Sequence, residues 1–391
     1  MTSPTERARV LFCITVYNGR DFVPDAIRSA VRIDVSRHDV DVLVLDDHSP
    51  EPGWSEDLEE LCTSLGVRYY CSPRNLGIPR NVNLGLLAAC DEGYTHVVIA
   101  NSDIIVPANI VNALVDGCRS DPRVASVTAW SNNASMYSIP NGDPVGHLGA
   151  QQRVDWLSST LAAANGDTVV DVPAGISFCM MIPTWAVQAV GLMDPVFGRG
   201  YCEETDWSRR SLASGYRCTL ATGVFVYHAG RGSNESAGLL RPGATSVDEH
   251  ELIVDMRYPD FRGEVGRYGA SGELERLFDA ATVTIAKAAT REFGYDIEVG
   301  YLGDARTGEH KPVVRIAPGE LSTVTVDYLG FTARLPLTGS LSEGDLAERI
   351  IDFAGGMPGR VNLLDRGPRT QHLLDALGAS NAIRPVYPQR V

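Results

Sequence analysis

Several signatures that would assign a class at once are missing from this chain. No apolar run approaches the roughly 18 residues of a membrane-spanning helix. The polar N-terminus through Arg9 leads into Val10–Val16, an apolar run too short for a secretory h-region with its cleavage site, so a cytoplasmic location is expected. The eight cysteines, at 13, 62, 71, 90, 118, 179, 202 and 218, form no CxxC pair and mostly sit in apolar segments. That predicts reduced, buried thiols and disfavours a zinc site. Neither GxGxxG after the first apolar run nor GxxxxGK[ST] is present, which disfavours a dinucleotide-binding Rossmann domain and a P-loop. Basic residues are outnumbered, 34 against 49 acidic, for a net charge of −15. General nucleic-acid binding and electrostatic membrane anchoring are thereby disfavoured. A diphosphate ligand would need its positive charge from a metal ion and a few arginines.

What is present is a regular alternation. Val10–Val16 reads as a buried strand with the loop Tyr17-Asn18-Gly19-Arg20, and Phe22–Val31 as a helix. Val40–Leu45 is a second strand closed by Asp46-Asp47-His48-Ser49-Pro50. Leu58–Leu65 is helical, Val67–Cys71 a third strand, Arg74-Asn75-Leu76-Gly77 a loop, and Ile78–Ala89 a helix. The fourth strand, Val97–Ala100, is continuous and β-branched, as strands buried on both faces are. It stops abruptly at Asn101-Ser102-Asp103. This order predicts an α/β fold with a mostly parallel sheet and helices on both faces. Four polar loops then share one sheet edge, where open α/β sheets bind ligands. Asp103 at that edge can hold a hard divalent cation. Pro107 is the expected start of the next helix, with Ile110, Val111, Leu114, Val115 and Cys118 on its apolar face.

Val124–Ala129 reads as a further strand. Ser131–Gln152, without clear periodicity, reads as a lid or binding loop. Ile176–Ile182 is a strand and Trp185–Val190 a short helix. The helix carrying Glu203-Glu204-Thr205-Asp206-Trp207 ends at Gly215. Arg217–Leu220 and Val224–Tyr227 are strands, the latter delivering His228. Helical spacing at Leu274–Thr290, Leu346–Phe353 and Gln371–Leu377, with strand-like Val313–Ile316, Thr323–Tyr328, Phe331–Leu335 and Val361–Leu364, is too ordered for a disordered tail. A division into residues 1–260 and a smaller α/β or α+β domain at 261–391 is expected.

Taken together these stretches resemble the family 2 inverting glycosyltransferases with the GT-A fold. Thr15-Val16-Tyr17-Asn18 is similar to the family's first nucleotide loop, and Leu45-Asp46-Asp47-His48-Ser49 to its VDDGS element. Arg74-Asn75-Leu76-Gly77-Ile78-Pro79-Arg80-Asn81 resembles its RNxGxxxARN element. Asn101-Ser102-Asp103 stands at its DxD, Glu203-Glu204-Thr205-Asp206-Trp207 at its EDxDL, and His228 at its late metal-binding histidine. The resemblance runs from Val10 to Ser233. Asn101 departs from the first DxD carboxylate, and Glu204 from the usual Asp base. With RNLG upstream, the NxD looks most like the rhamnosyltransferase and galactofuranosyltransferase branch.

The resemblance implies transfer of a sugar from a nucleoside diphosphate sugar to an acceptor hydroxyl on a glycan, a lipid-linked or a small molecule. It implies Glu204 as general base, with Glu203 and Asp206 in the same catalytic cluster. Asp103 and His228 would hold Mg²⁺ or Mn²⁺. Thr15, Tyr17, Asn18, Asp46, Asp47, Asn75, Gly77, Arg80, Asn101 and Ser102 would contact donor. Plainer readings stand beside these. The acids suit a first helical turn, His228 a core histidine, Arg74 and Arg80 a solvated surface, and Trp207 and Tyr201 the core. A nucleotidyltransferase that makes nucleotide sugars, and a non-catalytic nucleotide-sugar or glycan-binding module, are the competing functions. The region from 261 onward, outside the resemblance, has homo-oligomerisation or acceptor recognition as its candidate roles.

Overall fold

The computed structural model describes residues 6–139, 146–230, 246–299, 311–316, 324–335, 342–363, 372–373 and 375–377. The chain divides into two compact units, Met1–Leu274 and Glu275–Val391.

The first unit opens with β1 (Arg9–Val16), α1 (Val23–Val31), β2 (Asp39–Asp46), α2 (Trp54–Leu65), β3 (Arg68–Cys71), α3 (Ile78–Asp91) and β4 (His96–Asn101). The order β3-β2-β1-β4 is parallel throughout, with Val16 opposite Asp46, Thr15 opposite Asn101, and Asp46 opposite Cys71. All four strand ends therefore lie on one edge. One face of these strands (Leu11, Cys13, Leu43, Leu45, Val97, Ile99) packs against Val82, Leu86 and Ala89 of α3. Gly85 permits the approach, since a Cβ there would lie 2.8 Å from the Cys13 sulfur.

The chain continues through β5 (Ile104–Ile105), α4 (Ile110–Arg119), β6 (Val124–Ser131), α5 (Gln151–Asn165), β7 (Val169–Asp171), β8 (Cys179–Pro183), α6 (Thr184–Val190), α7 (Glu203–Ala213), β9 (Arg217–His228), α8 (Ser246–Arg257) and α9 (Phe261–Ala270). Here the sheet is less uniform than the alternation suggests. β8 lies antiparallel between β4 and β6, whereas β6 and β9 are parallel. The reversal sets Cys179 opposite Ala100, so the start of β8 reaches the ligand edge. β9 is one strand where two were expected, with register irregularity against β6 at Ala129/Trp130. Its antiparallel pairing with β5 sets His228 opposite Ile104, next to Asp103. Helix α4 begins at Ile110, three residues after Pro107, and α5 occupies the end of the expected 131–152 loop, of which 140–145 lie outside the described residues. α9, assigned by sequence to the C-terminal region, falls in the first unit.

The second unit begins within the long helix α10 (Glu273–Phe293). It continues with β10 (Asp296–Val299), β11 (Val313–Ile316), β12 (Val324–Tyr328), β13 (Phe331–Arg334), α11 (Glu343–Ala354) and β14 (Val361–Leu363). Its sheet runs β13-β12-β11-β10-β14, antiparallel on one side of β11 and parallel on the other. Alternation along β12 and β13 puts Val324, Val326 and Ala333 into a core with Leu346 and Ile350 of α11. A capping box between Ser342 and Asp345 starts α11, and left-handed Gly355 stops it. Gln371 and residue 374 of the expected last helix lie outside the described residues.

All eight cysteines are free thiols. Burial pushes Cys13, Cys62, Cys179 and Cys202 up to about 12. Among the described residues no helix is long and apolar enough to cross a membrane.

Candidate active site

The loops after β1, β2 and β3 form one end of the site. Thr15 is buried and its hydroxyl donates to the Ala100 carbonyl at 3.3 Å. Asn18 is left-handed (φ 57°), its backbone N–H donates to Ser49 Oγ at 2.7 Å, and its buried side-chain Oδ1 has no hydrogen-bond partner. Asp46 is fully buried and accepts from Ser49 N (3.0 Å), Ser49 Oγ (2.6 Å), Ser55 Oγ (2.6 Å) and Tyr69 OH (3.0 Å). Asp47 accepts from Leu76 N (2.6 Å) and Gly77 N (2.9 Å); burial nonetheless raises its pKa. Both aspartates thus stitch one loop to the next. Asn81 is likewise buried, donating to the Leu45 carbonyl at 3.0 Å. Gly77 is indispensable here: its positive φ (80°, with ψ 157°) is a conformation essentially reserved for glycine, and a Cβ would collide with the Gly198 carbonyl. This contact brings the loop of Arg199 against the loop of Arg74. Arg74, Asn75, Arg80 and Arg199 are exposed, and the three arginines form no ion pair among the described residues.

Asp103 and His228 meet at the end of β4. Both are largely buried, with His228 Nε2 3.2 Å from Asp103 Oδ1. The residue is held from three sides. Nδ1 lies 2.6 Å from the Asn133 carbonyl, Asn132 brackets the His228 backbone (2.8 and 3.0 Å), and Phe178 stacks on the face at 5.4 Å. Nδ1 therefore donates to the carbonyl and Nε2 faces the carboxylate, the arrangement that orients metal-ligating histidines. Burial alone would lower the His228 pKa, but Asp103 and the Asn133 carbonyl outweigh it and the net shift is upward. Two adjacent ligands on an octahedral ion with bonds of ~2.1 Å lie ~3 Å apart, so this pair suits a divalent cation that completes its shell with diphosphate and water. Among the described residues no group of three or more His, Cys, Asp or Glu side chains converges. Ser102 is buried beside the pair, and Asn101 Nδ2 lies 3.4 Å from His228 Nε2.

The start of α7 forms the other end. Tyr201 and Cys202 are both left-handed (φ 71° and 74°), unusual for residues with side chains, and they turn the chain sharply into the helix. The three acids then diverge, as a spacing of about 100° per residue requires. Glu203 points inward: it is 3 % exposed, one carboxylate oxygen has no partner, and burial beside Glu204 raises its pKa well above the usual range. Glu204 lines a cleft of about 750 Å³, with its Oε2 buried and unpartnered and its pKa raised by burial. Asp206 is fully buried and bound by Arg210 (2.9 Å), Arg257 (2.7 Å) and Tyr258 OH (2.8 Å), which fastens α8 to α7. Trp207 is core, its indole donating to the Gly191 carbonyl at 2.8 Å.

Two segments connect these ends. Pro173–Ile176 line the cleft, and Phe178, two residues on, stacks on His228. Asn133 holds His228, while Ser135, Met136 and Tyr137 line the cleft. Sequence reasoning missed Asn132, Asn133 and Phe178 because they act through backbone contacts and stacking. It also missed the cleft walls supplied by α8 and α9, since α8 has no apolar stripe and exposes Leu252 and Met256.

Residues 11–162 match the family model described as glycosyl transferase family 2. The first unit of this mixed α/β chain thus carries a glycosyltransferase domain, with a smaller sheet-and-helix unit after it. Among solved structures, the chain is similar to GalNAc-T7 with UDP, GalNAc and Mn²⁺ (16% identity, TM-score 0.45), over 57% of this chain and 44% of that one. It therefore spans less than half of that protein. It is also similar to the mannosyltransferase PcManGT from Pyrobaculum calidifontis in complex with GDP-Man and Mn²⁺ (17% identity, TM-score 0.45), over 73% of this chain and 76% of that one. No curated protein matches the chain.

Proposed function

We propose that the chain is an inverting GT-A glycosyltransferase that moves a sugar from a nucleoside diphosphate sugar to an acceptor hydroxyl in a single displacement. The observation that carries this reading is Glu204, which lines a cleft with one buried carboxylate oxygen left unpartnered, while the two segments lining the same cleft also carry Asn133 and Phe178, the residues that hold His228 beside Asp103. Single displacement needs a base for the acceptor proton, stabilisation of the leaving diphosphate and alignment of the two substrates. Glu204 supplies the first; its burial-raised pKa makes it a stronger base than an exposed glutamate. Asp103 and His228 would hold Mg²⁺ or Mn²⁺, which neutralises charge on the leaving diphosphate when bound. The exposed arginines at 74, 80 and 199 supply positive charge beside the same loops. Thr15, Tyr17, Asn18 and Asn75 border the space for the nucleoside. Asp46 acts there by shaping the loops, because its four acceptor sites are filled, whereas Asp47 accepts only two bonds and keeps acceptor capacity for the donor.

Thermal-shift titration with nucleoside diphosphates tests the donor end, since a ligand that binds only the folded state raises the melting point. A shift that needs Mn²⁺ or Mg²⁺ and disappears in Asp103→Ala is the expected result. A metal-independent shift that survives the substitution overturns the cation assignment. In turnover, release of nucleoside diphosphate distinguishes transfer from the pyrophosphate of a nucleotidyltransferase, and no hydrolysis or transfer with any donor would leave a binding module.

A further inference from the structure

On the reading that Glu204 receives the acceptor proton, the cleft before it also defines the acceptor. Met136, Tyr137, Ile176, Val254, Phe261 and Val265 line it. Tyr137 is buried behind the wall and its hydroxyl is engaged elsewhere, donating to the Ala174 carbonyl at 2.7 Å, so it adds no free donor to the cleft. The charged groups lining the cleft are Glu204, Glu251, Asp255 and Arg262. Arg262 is already paired, with Nε 2.6 Å from Asp255 and Nη2 3.1 Å from Glu251. Among the described residues of the cleft, three carboxylates thus face one neutralised cation. A phosphate or carboxylate entering here would lose its hydration, find no free donor cation and approach an unpartnered glutamate.

We propose that the acceptor is an uncharged molecule in which the attacking hydroxyl is joined, directly or through a sugar, to an apolar body, an alkyl, isoprenoid or aromatic group, with no anionic group near that hydroxyl. The apolar body occupies the wall formed by Ile176, Val254, Phe261 and Val265, and the hydroxyl is directed at Glu204. Burial of the apolar surface supplies affinity, and the acidic rim rejects anionic competitors.

The test uses the full chain with Mn²⁺ and three probes on one sugar: the methyl, 4-methylphenyl and 4-carboxyphenyl glycosides. Binding is read by saturation-transfer NMR, which needs no turnover. The 4-methylphenyl glycoside is expected to bind ~10-fold more tightly than the other two. Val265→Asp, at a half-buried position of the same wall, should remove that advantage. The double substitution Glu251→Gln/Asp255→Asn releases Arg262 and should bring 4-carboxyphenyl binding to within ~3-fold of 4-methylphenyl. Equal binding of all three probes, tighter binding of the carboxylate by the unsubstituted chain, or no response to either variant overturns the proposal. Nucleoside diphosphate binding measured on the same samples reports on the donor site separately, so failure of the transferase reading is told apart from failure of the acceptor assignment.

Discussion

The loop after β2 and the start of α7 each place two acids in succession, and the two pairs live in different chemical surroundings. Asp46 and Asp47 between them receive six hydrogen bonds, four and two, from loop amides, hydroxyls and a phenol. Glu203 and Glu204 each keep a buried oxygen with no partner. Buried carboxylates are normally satisfied, so the first pair ties its loops together, and on the proposed reading the second is the one open to a proton. Position along a motif does not separate these roles; the count of donors does.

The comparison can be broken most decisively at Glu204. Glu204→Gln keeps the shape and removes the base, and should lower kcat by ~10²–10⁴-fold while leaving nucleoside diphosphate binding intact. If turnover survives and Asp206→Asn abolishes it, the base lies two residues further along α7 and the contrast fails, because Asp206 belongs with the hydrogen-bonded acids. A smaller effect, on stability, is expected at Asp46. Asp46→Asn replaces an acceptor of four hydrogen bonds by an amide that cannot accept them all, and should cost about 2 kcal/mol in denaturant unfolding. A cost near zero would mean that the donors around it are not structural. The smallest effect is at Glu203. Its folded pKa is raised above the ordinary value of 4.5, so between those two values the native state holds more protons than the unfolded chain. Stability then falls as pH rises above ~4.5. Glu203→Gln should flatten that fall and raise the melting temperature at pH 8, with little change at pH 4. Identical pH profiles for both proteins would show that Glu203 titrates normally.

The first four strands were legible because a strand buried on both faces is written as a continuous β-branched run, and Val10–Val16 and Val97–Ala100 are such runs. Their polar ends then fall on one edge by topology alone. The antiparallel insertion of β8 was not legible, since Ile176–Ile182 reads the same in either direction. Helix α5 was hidden by the Asn-, Gly- and Ser-rich stretch before it, and α8 by its lack of periodicity. In the site, Glu204, Asp103 and His228 were readable as residue types at strand and helix ends. What could not be read was satisfaction: Ser55 and Tyr69 reach Asp46 from other elements, and Arg257 reaches Asp206 from 51 residues away.

Tyr201 and Cys202 add a consequence of an evolutionary kind. Two successive side-chain-bearing residues in the left-handed region cost ~1–2 kcal/mol each, a measurable share of a domain's ~5–15 kcal/mol. Glycine at 202 would relieve one of them for the loss of a single half-buried thiol. Selection for heat tolerance should therefore sample that position early. Selection for turnover should resist it, because a looser turn would let the first turn of α7, and Glu204 with it, wander from its aim.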